Sequence, residues 1–158
     1  MTIAIYLKVE GVNGEAKPKE GWIDALSFNW AAAQPGDMMV EGGGGVGKVM
    51  FDDLSVQTYI DRASPTLLGF CASGKHISKV ILSVNKTGGE EIEFARIELD
   101  DVIITRVNFN GVENTDNILV NYVFQADKVS QHYWEQTNKG GKSAEFFTGW
   151  YIKKNQAL

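Results

Sequence analysis

The chain has 158 residues, of which 44% are hydrophobic and 22% charged, and its formal net charge is −5. This length predicts a single domain, residues 1–158, that buries roughly two-thirds of the surface of the unfolded chain. The negative charge and the lack of a Lys/Arg cluster argue against nucleic acid as a partner. The single cysteine, Cys71, excludes an internal disulfide. No run reaches the ~18 apolar residues of a membrane span, and the first residues do not resemble a signal peptide, which predicts synthesis in the cytoplasm.

The composition favours β structure. Seventeen glycines and only three prolines accompany many β-branched and aromatic residues, which suit strands joined by tight turns. Hydrophobic alternation predicts strands over 3–10, 22–33, 48–60, 77–86, 92–99, 102–108, 118–129 and 145–153. Their regular spacing predicts a mainly β fold, a β-barrel or two-sheet sandwich with one short α-helix.

The predicted strand 22–33 has two unlike faces. The predicted core face comprises Trp22, Asp24, Leu26, Phe28 and Trp30. The opposite face comprises Ile23, Ala25, Ser27, Asn29 and Ala31. This second face is small and weakly polar, whereas strand surfaces facing solvent commonly carry Lys and Glu. The pattern therefore indicates a surface that is exposed but shared with a partner.

An apolar segment follows this strand on an extended loop. Gln34-Pro35-Gly36-Asp37 is expected to end the strand, and Met38, Met39 and Val40 come next, before a glycine-rich run at 42–47. Apolar residues on an exposed loop usually contact a partner, which makes these three residues candidates for an intersubunit contact.

The only well-formed helix signal spans 64–74. Ser64 is placed to cap the first N–H groups, Pro65 suits the first turn, and Gly74 can adopt the left-handed conformation that closes a helix. A helix this short must dock on the strands to be stable. The docked residues are predicted to be Leu67, Leu68, Phe70 and Cys71, so that a charge at position 68 is expected to unfold the chain and Cys71 is expected to be buried rather than reactive.

Catalytic, metal-binding and nucleotide-binding motifs are weak or incomplete in this sequence. The run from Gly42 to Lys48 has most of a phosphate-loop spacing, but Val49 replaces the hydroxyl residue that holds magnesium. His76 and His132 lack ligand-like spacing, and the adjacent carboxylate pairs 52–53, 90–91 and 100–101 point to opposite faces of a strand. The aromatic residues of the strands suit core packing better than a ligand platform. We therefore expect the protein to have no metal site, no cofactor and no enzymatic activity.

An ordered set of segments resembles one known family. The segments are IYLKVEGVNGE (5–15), IDALSFNW (23–30), GKV (47–49), DLSVQTYID (53–61), SPTLL (64–68), ASGKH (72–76) and KTGG (86–89). Together they resemble the haemolysin-coregulated proteins (Hcp) of the bacterial type VI secretion system. The resemblance implies a β-barrel-like fold related to phage tail-tube proteins. It also implies hexameric rings that stack into the inner tube of a contractile injection machine and are secreted by it.

The resemblance gives the unexplained surfaces a role. Ala25, Ser27, Asn29 and Ala31, with Asn29 first, become candidates for the channel wall and for contact with cargo. The segment 38–40 then meets an adjacent subunit or ring. The implied partners are further copies of the chain, secreted effector proteins, a VgrG-like spike and the sheath, with neither nucleic acid nor membrane.

Three alternatives stay open at this point. The chain could be an effector hydrolase that uses Asp52 or Glu91. It could be a monomeric β-sandwich that binds a ligand. The small-residue face of the strand 22–33 could pack against the helix or a second sheet instead of lining a channel.

Overall fold

The computed structural model describes residues 2–36, 38, 47–136 and 142–158, with Lys142 described by its backbone alone. This part of the chain contains ten strands and one helix. The elements are β1 (Ile3–Val9), β2 (Ile23–Asn29), β3 (Ala32–Ala33), β4 (Met50–Phe51), β5 (Leu54–Tyr59), α1 (Ser64–Ser73), β6 (Ile77–Lys86), β7 (Ile92–Asn110), β8 (Leu119–Gln136), β9 (Lys142–Tyr151) and β10 (Gln156–Ala157).

Six strands form a closed antiparallel barrel. They follow the order β8-β5-β2-β1-β6-β7, and β7 pairs with β8 to close the ring. Strands β9 and β10 extend the sheet from β8 outside the barrel, and β3 pairs with β4 as a separate two-stranded sheet. The prediction of a mainly β, barrel-like fold with one short helix is therefore confirmed.

The barrel interior is the hydrophobic core. Alternate residues point inward, so each strand contributes every second side chain to this core. Fully buried members include Leu7, Val9, Leu54, Val56, Leu67, Val80, Leu82, Val102 and Val120. Each such side chain contributes about 1.5–3 kcal/mol to folding through its removal from water.

Several strand boundaries differ from the sequence prediction. The strand 77–86 is found as predicted. The predicted strand 48–60 is divided at Asp52 and Asp53 into β4 and β5. The predicted break at Asp100 and Asp101 lies instead inside the continuous strand β7, where Asp101 has a φ of 53°.

The helix α1 ends as predicted but begins differently. Gly74 has a φ of 65°, and its N–H donates to the Cys71 carbonyl at 3.3 Å. Ser64 does not cap the helix, because it already lies in the first turn and Ala63 occupies the cap position. The Ser64 hydroxyl instead accepts hydrogen bonds from the Asp61 N–H at 3.1 Å and from the Tyr122 hydroxyl at 2.8 Å, which ties the helix to the barrel interior.

Only one stripe of α1 contacts the barrel. Leu67 is fully buried, and Phe70 and Cys71 are partly buried against the core. Leu68 is 46% exposed, so the prediction that it is buried is wrong. Successive residues of a helix are separated by about 100° around its axis, and the narrow contact stripe does not extend from Leu67 to Leu68.

Candidate functional site

A β-bulge in β2 decides which of its residues face outward. Ala25 pairs with Thr58 and Ser27 pairs with Gln57, so β2 advances two residues while β5 advances one. Leu26 is the extra residue, and beyond it the inward and outward sides are exchanged. Ala25 consequently packs against the core, whereas Ser27 and Asn29 are exposed on the outer side.

The bulge corrects the sequence prediction for both faces of β2. Before the bulge, Ile23 is buried and Asp24 is exposed, the reverse of the expectation. Leu26 is 43% exposed rather than buried. Beyond the bulge, Phe28 pairs with the buried Val56, which puts both on the inner side as predicted, although Phe28 keeps 38% of its surface exposed.

Three residues of the predicted faces lie outside β2. Trp22 precedes β2 and is half-buried, and the other two follow β2. Trp30 packs against the core, as expected for an inward residue. Ala31 is exposed, and its carbonyl accepts a hydrogen bond from the Asp52 N–H at 2.9 Å. Ala31 therefore lies after the end of β2, in the connection to β3.

A second bulge has the same effect in β7. Ile104 pairs with Phe124, and Arg106 pairs with Val123, so Thr105 is the extra residue. Val102 and Ile104 are buried, and unbroken alternation would continue with Arg106 on the inner side. The bulge turns Arg106 outward, where it is exposed.

The two bulges align outward residues in two rows across β2, β5, β8 and β7. The first row is Ser27, Gln57, Asn121 and Asn108, and the second is Asn29, Ser55, Val123 and Arg106. Directly paired residues project on the same side of a sheet, so these eight residues form one surface, here called the polar face.

The polar face carries hydrogen-bonding groups with little charge. Six of its members are amides or hydroxyls, Val123 is apolar and Arg106 is the one charged member. The Ser55 hydroxyl donates to the side-chain amide oxygen (Oδ1) of Asn121 at 3.1 Å, which joins the two rows. Neutral amides and hydroxyls can both donate and accept, so the face can contact many different polar surfaces.

Charged groups are concentrated elsewhere on the barrel wall. Arg96 contacts Glu93 at 2.8 Å and Glu98 at 3.1 Å, and Lys79 contacts Asp100 at 3.4 Å. Burial opposes the charge of Arg96, but hydrogen bonds and attraction to Glu93 and Glu98 raise its pKa above the ordinary value. The wall formed by β6 and the first half of β7, residues 92–100, thus differs in chemistry from the polar face, which takes its β7 members from beyond Thr105.

The carboxylates considered for hydrolysis are dispersed. Glu91 accepts hydrogen bonds from the Tyr6 hydroxyl at 2.8 and 2.9 Å, and burial, with the nearby carboxylate, raises the pKa of Tyr6. Asp52 is exposed, and Asp53 accepts a hydrogen bond from the Thr105 hydroxyl at 3.2 Å. In the ranges that the structure describes, no three His, Cys, Asp or Glu residues are grouped as a metal would need.

The apolar segment Met38-Met39-Val40 is described only in part. Met38 is 81% exposed, while Met39 and Val40 lie outside the described residues. The strands β3 and β4 flank this segment in the sequence, and Met50 of β4 is 63% exposed. Among the described residues, no helix has the length and apolar character to cross a membrane.

Comparison with known proteins agrees with this architecture. Residues 6–139 match the family model "Type VI secretion system effector, Hcp". Protein hcp1 of Pseudomonas aeruginosa is 35% identical over 159 aligned positions, which cover 98% of each chain. The crystal structure of Hcp1 from Salmonella typhimurium is 29% identical, with a TM-score of 0.81 and complete coverage of both chains. A type six secretion system protein of 23% identity, covering 99% of this chain and 100% of its own, has a TM-score of 0.90 and supports the fold.

These matches define the chain as a member of a family of structural tube proteins rather than of enzymes, and the closed barrel agrees with that class. The chain belongs to the Hcp family of the type VI secretion system. The resemblance identified from the sequence segments is confirmed.

Sequence reasoning found only part of the polar face. It identified Ser27 and Asn29 but missed the members contributed by the other strands, which are Ser55, Gln57, Asn108, Asn121, Val123 and Arg106. The alternation of Ser55 and Gln57 with buried Leu54, Val56 and Thr58 was a readable signal. Arg106 and Asn108 had no such signal, because their outward direction depends on the bulge at Thr105.

Proposed function

We propose that the chain assembles into hexameric rings that stack as the inner tube of a type VI secretion system. In this proposal the polar face lines the lumen and contacts a secreted effector carried through the tube. The protein is exported with the tube, and its other partners are the spike and the sheath. The observation that carries the proposal is the polar face itself, two rows of mainly neutral polar residues across four strands.

The exposure of this face supports a role outside the protomer. Ser27, Asn29 and Asn108 are exposed, and Ser55 and Asn121 are partly exposed. The helix α1 packs against β7 and sends Leu67 into the core rather than covering Ser27 and Asn29. The alternative that the small polar residues of β2 pack under the helix or another sheet is therefore not favoured.

Other exposed surfaces suit contacts between copies. Phe146 and Phe147 are 56% and 67% exposed on β9, and β10 pairs with β9 only at its Trp150–Tyr151 end. An open strand edge with exposed aromatic residues is a ready site for association, and a closed ring satisfies such edges without open-ended growth. Exposed Met38 and Met50 offer a further apolar contact.

The chemistry of the polar face fits transient holding of a cargo protein. A net hydrogen bond to a neutral partner is worth only about 0.5–1.5 kcal/mol, because water competes for the same groups. Many such contacts can hold a cargo without a deep pocket, and no single contact prevents release. The energy for ejection would come from the sheath.

Two measurements test the proposal. Sedimentation at increasing concentration should show a hexamer, and a monomer at every concentration would refute the ring. Spin labels at Ser27→Cys and Ser78→Cys, each in a Cys71→Ala background, then compare two exposed strand serines, one inside and one outside the polar face. In a six-fold ring the distance between labels on neighbouring subunits equals the distance of each label from the ring axis. If the polar face lines the lumen, labels at 27 should therefore be closer together than labels at 78.

Cargo contact has its own test. Asn29→Arg should leave the hexamer intact and change the amount of a co-expressed effector that purifies with it. Ser78→Arg is the matched control and should leave retention unchanged. Loss of rings in Asn29→Arg would show that Asn29 lies at a subunit contact instead of the lumen.

A further inference from the structure

We propose that Arg106 makes the polar face selective for cargo with acidic surface segments, through contacts of its guanidinium with cargo carboxylates. The inference rests on the proposed function, since it takes the polar face to be the surface that the cargo meets. It adds a charge preference to a surface that otherwise consists of neutral groups.

The position of Arg106 places it in the same surface as Asn29. Arg106 pairs with Val123, Val123 with Ser55, and Ser55 with Asn29, so all four lie in one row. The bulge at Thr105 is what turns Arg106 outward. A bulge that redirects a side chain is a common device beside functional surfaces.

Arg106 differs from the other two arginines of the chain in lacking an internal partner. Arg62 donates to the Gly14 carbonyl at 2.7 Å, and Arg96 is held by Glu93 and Glu98. Within the described residues, the side chain of Arg106 makes neither a hydrogen bond nor an ion pair. The nearby carboxylate of Asp53 is hydrogen-bonded to Thr105 at 3.2 Å and to Gln125 at 3.4 Å. The guanidinium is therefore available to an external acceptor.

The chemistry of the site favours a carboxylate. A guanidinium offers donors in a planar fork that matches the two oxygens of a carboxylate. Asn29 lies in the same row as Arg106, and Asn108 lies in the other row of the polar face. Both can add neutral hydrogen bonds. The whole chain carries a net charge of −5 and would repel an acidic partner, so a cation on the polar face locally reverses that repulsion.

The ring multiplies this contribution. In a hexamer whose lumen is lined by the polar face, each copy presents one Arg106 toward the common axis. Several weak contacts on one assembly raise the overall avidity without any new kind of contact. A segment with several Asp or Glu residues could then contact more than one subunit.

Binding of simple probes to the assembled full-length protein tests the inference. Fluorescein-labelled oligoglutamate, oligoserine and oligothymidine are titrated with the ring, and anisotropy is measured at low and high salt. Oligoglutamate should bind more tightly than oligoserine, with an affinity that falls as salt rises. Arg106→Gln should weaken oligoglutamate binding about tenfold or more, since a hydrogen bond to a charged group is lost.

Two further variants make the result specific. Arg106→Lys keeps the charge but loses the fork and should bind with intermediate affinity. Lys17→Gln removes the same charge from an exposed site outside the polar face and should bind like the unchanged protein. Equal oligoglutamate binding by Arg106→Gln and Lys17→Gln, with both sedimenting as hexamers, would overturn this inference alone. Tighter binding of oligothymidine than of oligoglutamate would also overturn it, and a chain that stays monomeric would overturn the proposed function itself.

Discussion

Two successive leucines of α1 give a matched test of how the helix contacts the barrel. Leu67 is fully buried and Leu68 is 46% exposed. Leu67→Ala should lower the free energy of unfolding by about 2–5 kcal/mol, because it removes buried methyl groups and leaves a cavity. Leu68→Ala should cost about 1 kcal/mol, roughly half the ~1.5–3 kcal/mol gained by burying a complete leucine side chain. The change in helix propensity is the same at both positions and cancels in the comparison.

Urea unfolding followed by far-ultraviolet circular dichroism measures this difference. The two variants should differ by about 1–4 kcal/mol, so with a slope of about 1–3 kcal/mol per molar urea Leu67→Ala should lower the midpoint by at least ~0.3 M relative to Leu68→Ala. Assembly also stabilises the folded chain, so the comparison is made at one protein concentration and repeated at others. Leu68→Asp should remain folded, in contrast to the expectation from the sequence. Equal midpoints for the two alanine variants, or a larger loss at Leu68, would refute the described docking of α1.

Two further predictions concern buried tyrosines. Tyr122→Phe should lower the free energy of unfolding by about 1–2 kcal/mol, because the buried Tyr122 hydroxyl donates to Ser64 at 2.8 Å. A urea midpoint equal to that of the unchanged protein would contradict this prediction. Burial raises the pKa of both Tyr6 and Tyr122, so the unfolded chain loses phenolic protons from about pH 10 upward while the folded chain retains them. The contribution of these two tyrosines to the free energy of unfolding is therefore fully present below about pH 10 and should fall as the pH rises above that value. Tyr6→Phe should reduce this alkaline loss in urea midpoints measured across the pH range, and an unchanged pH dependence in that variant would argue against the raised pKa of Tyr6.

Local sequence was sufficient for much of the fold. The alternation of 77–86 predicted β6 with the bounds that the structure shows. Pro65 and Gly74 marked the first turn and the end of α1, because their backbone preferences are set by the residues themselves. The order of the seven segments was also sufficient to place the chain in its family, which the comparisons confirm.

The composition of the polar face was decided by tertiary structure. A strand pattern has a period of two, so one extra residue at Leu26 or Thr105 exchanges inside and outside for every residue beyond it. That exchange removes Ala25 from the predicted surface and adds Arg106 and Asn108 to it. Whether a bulge forms depends on how β2 fits against β5 and β7 against β8, and no residue near either bulge encodes that fit by itself. The sequence thus determined the position of the helix and of most strands, and the pairing between strands determined which side chains share a surface.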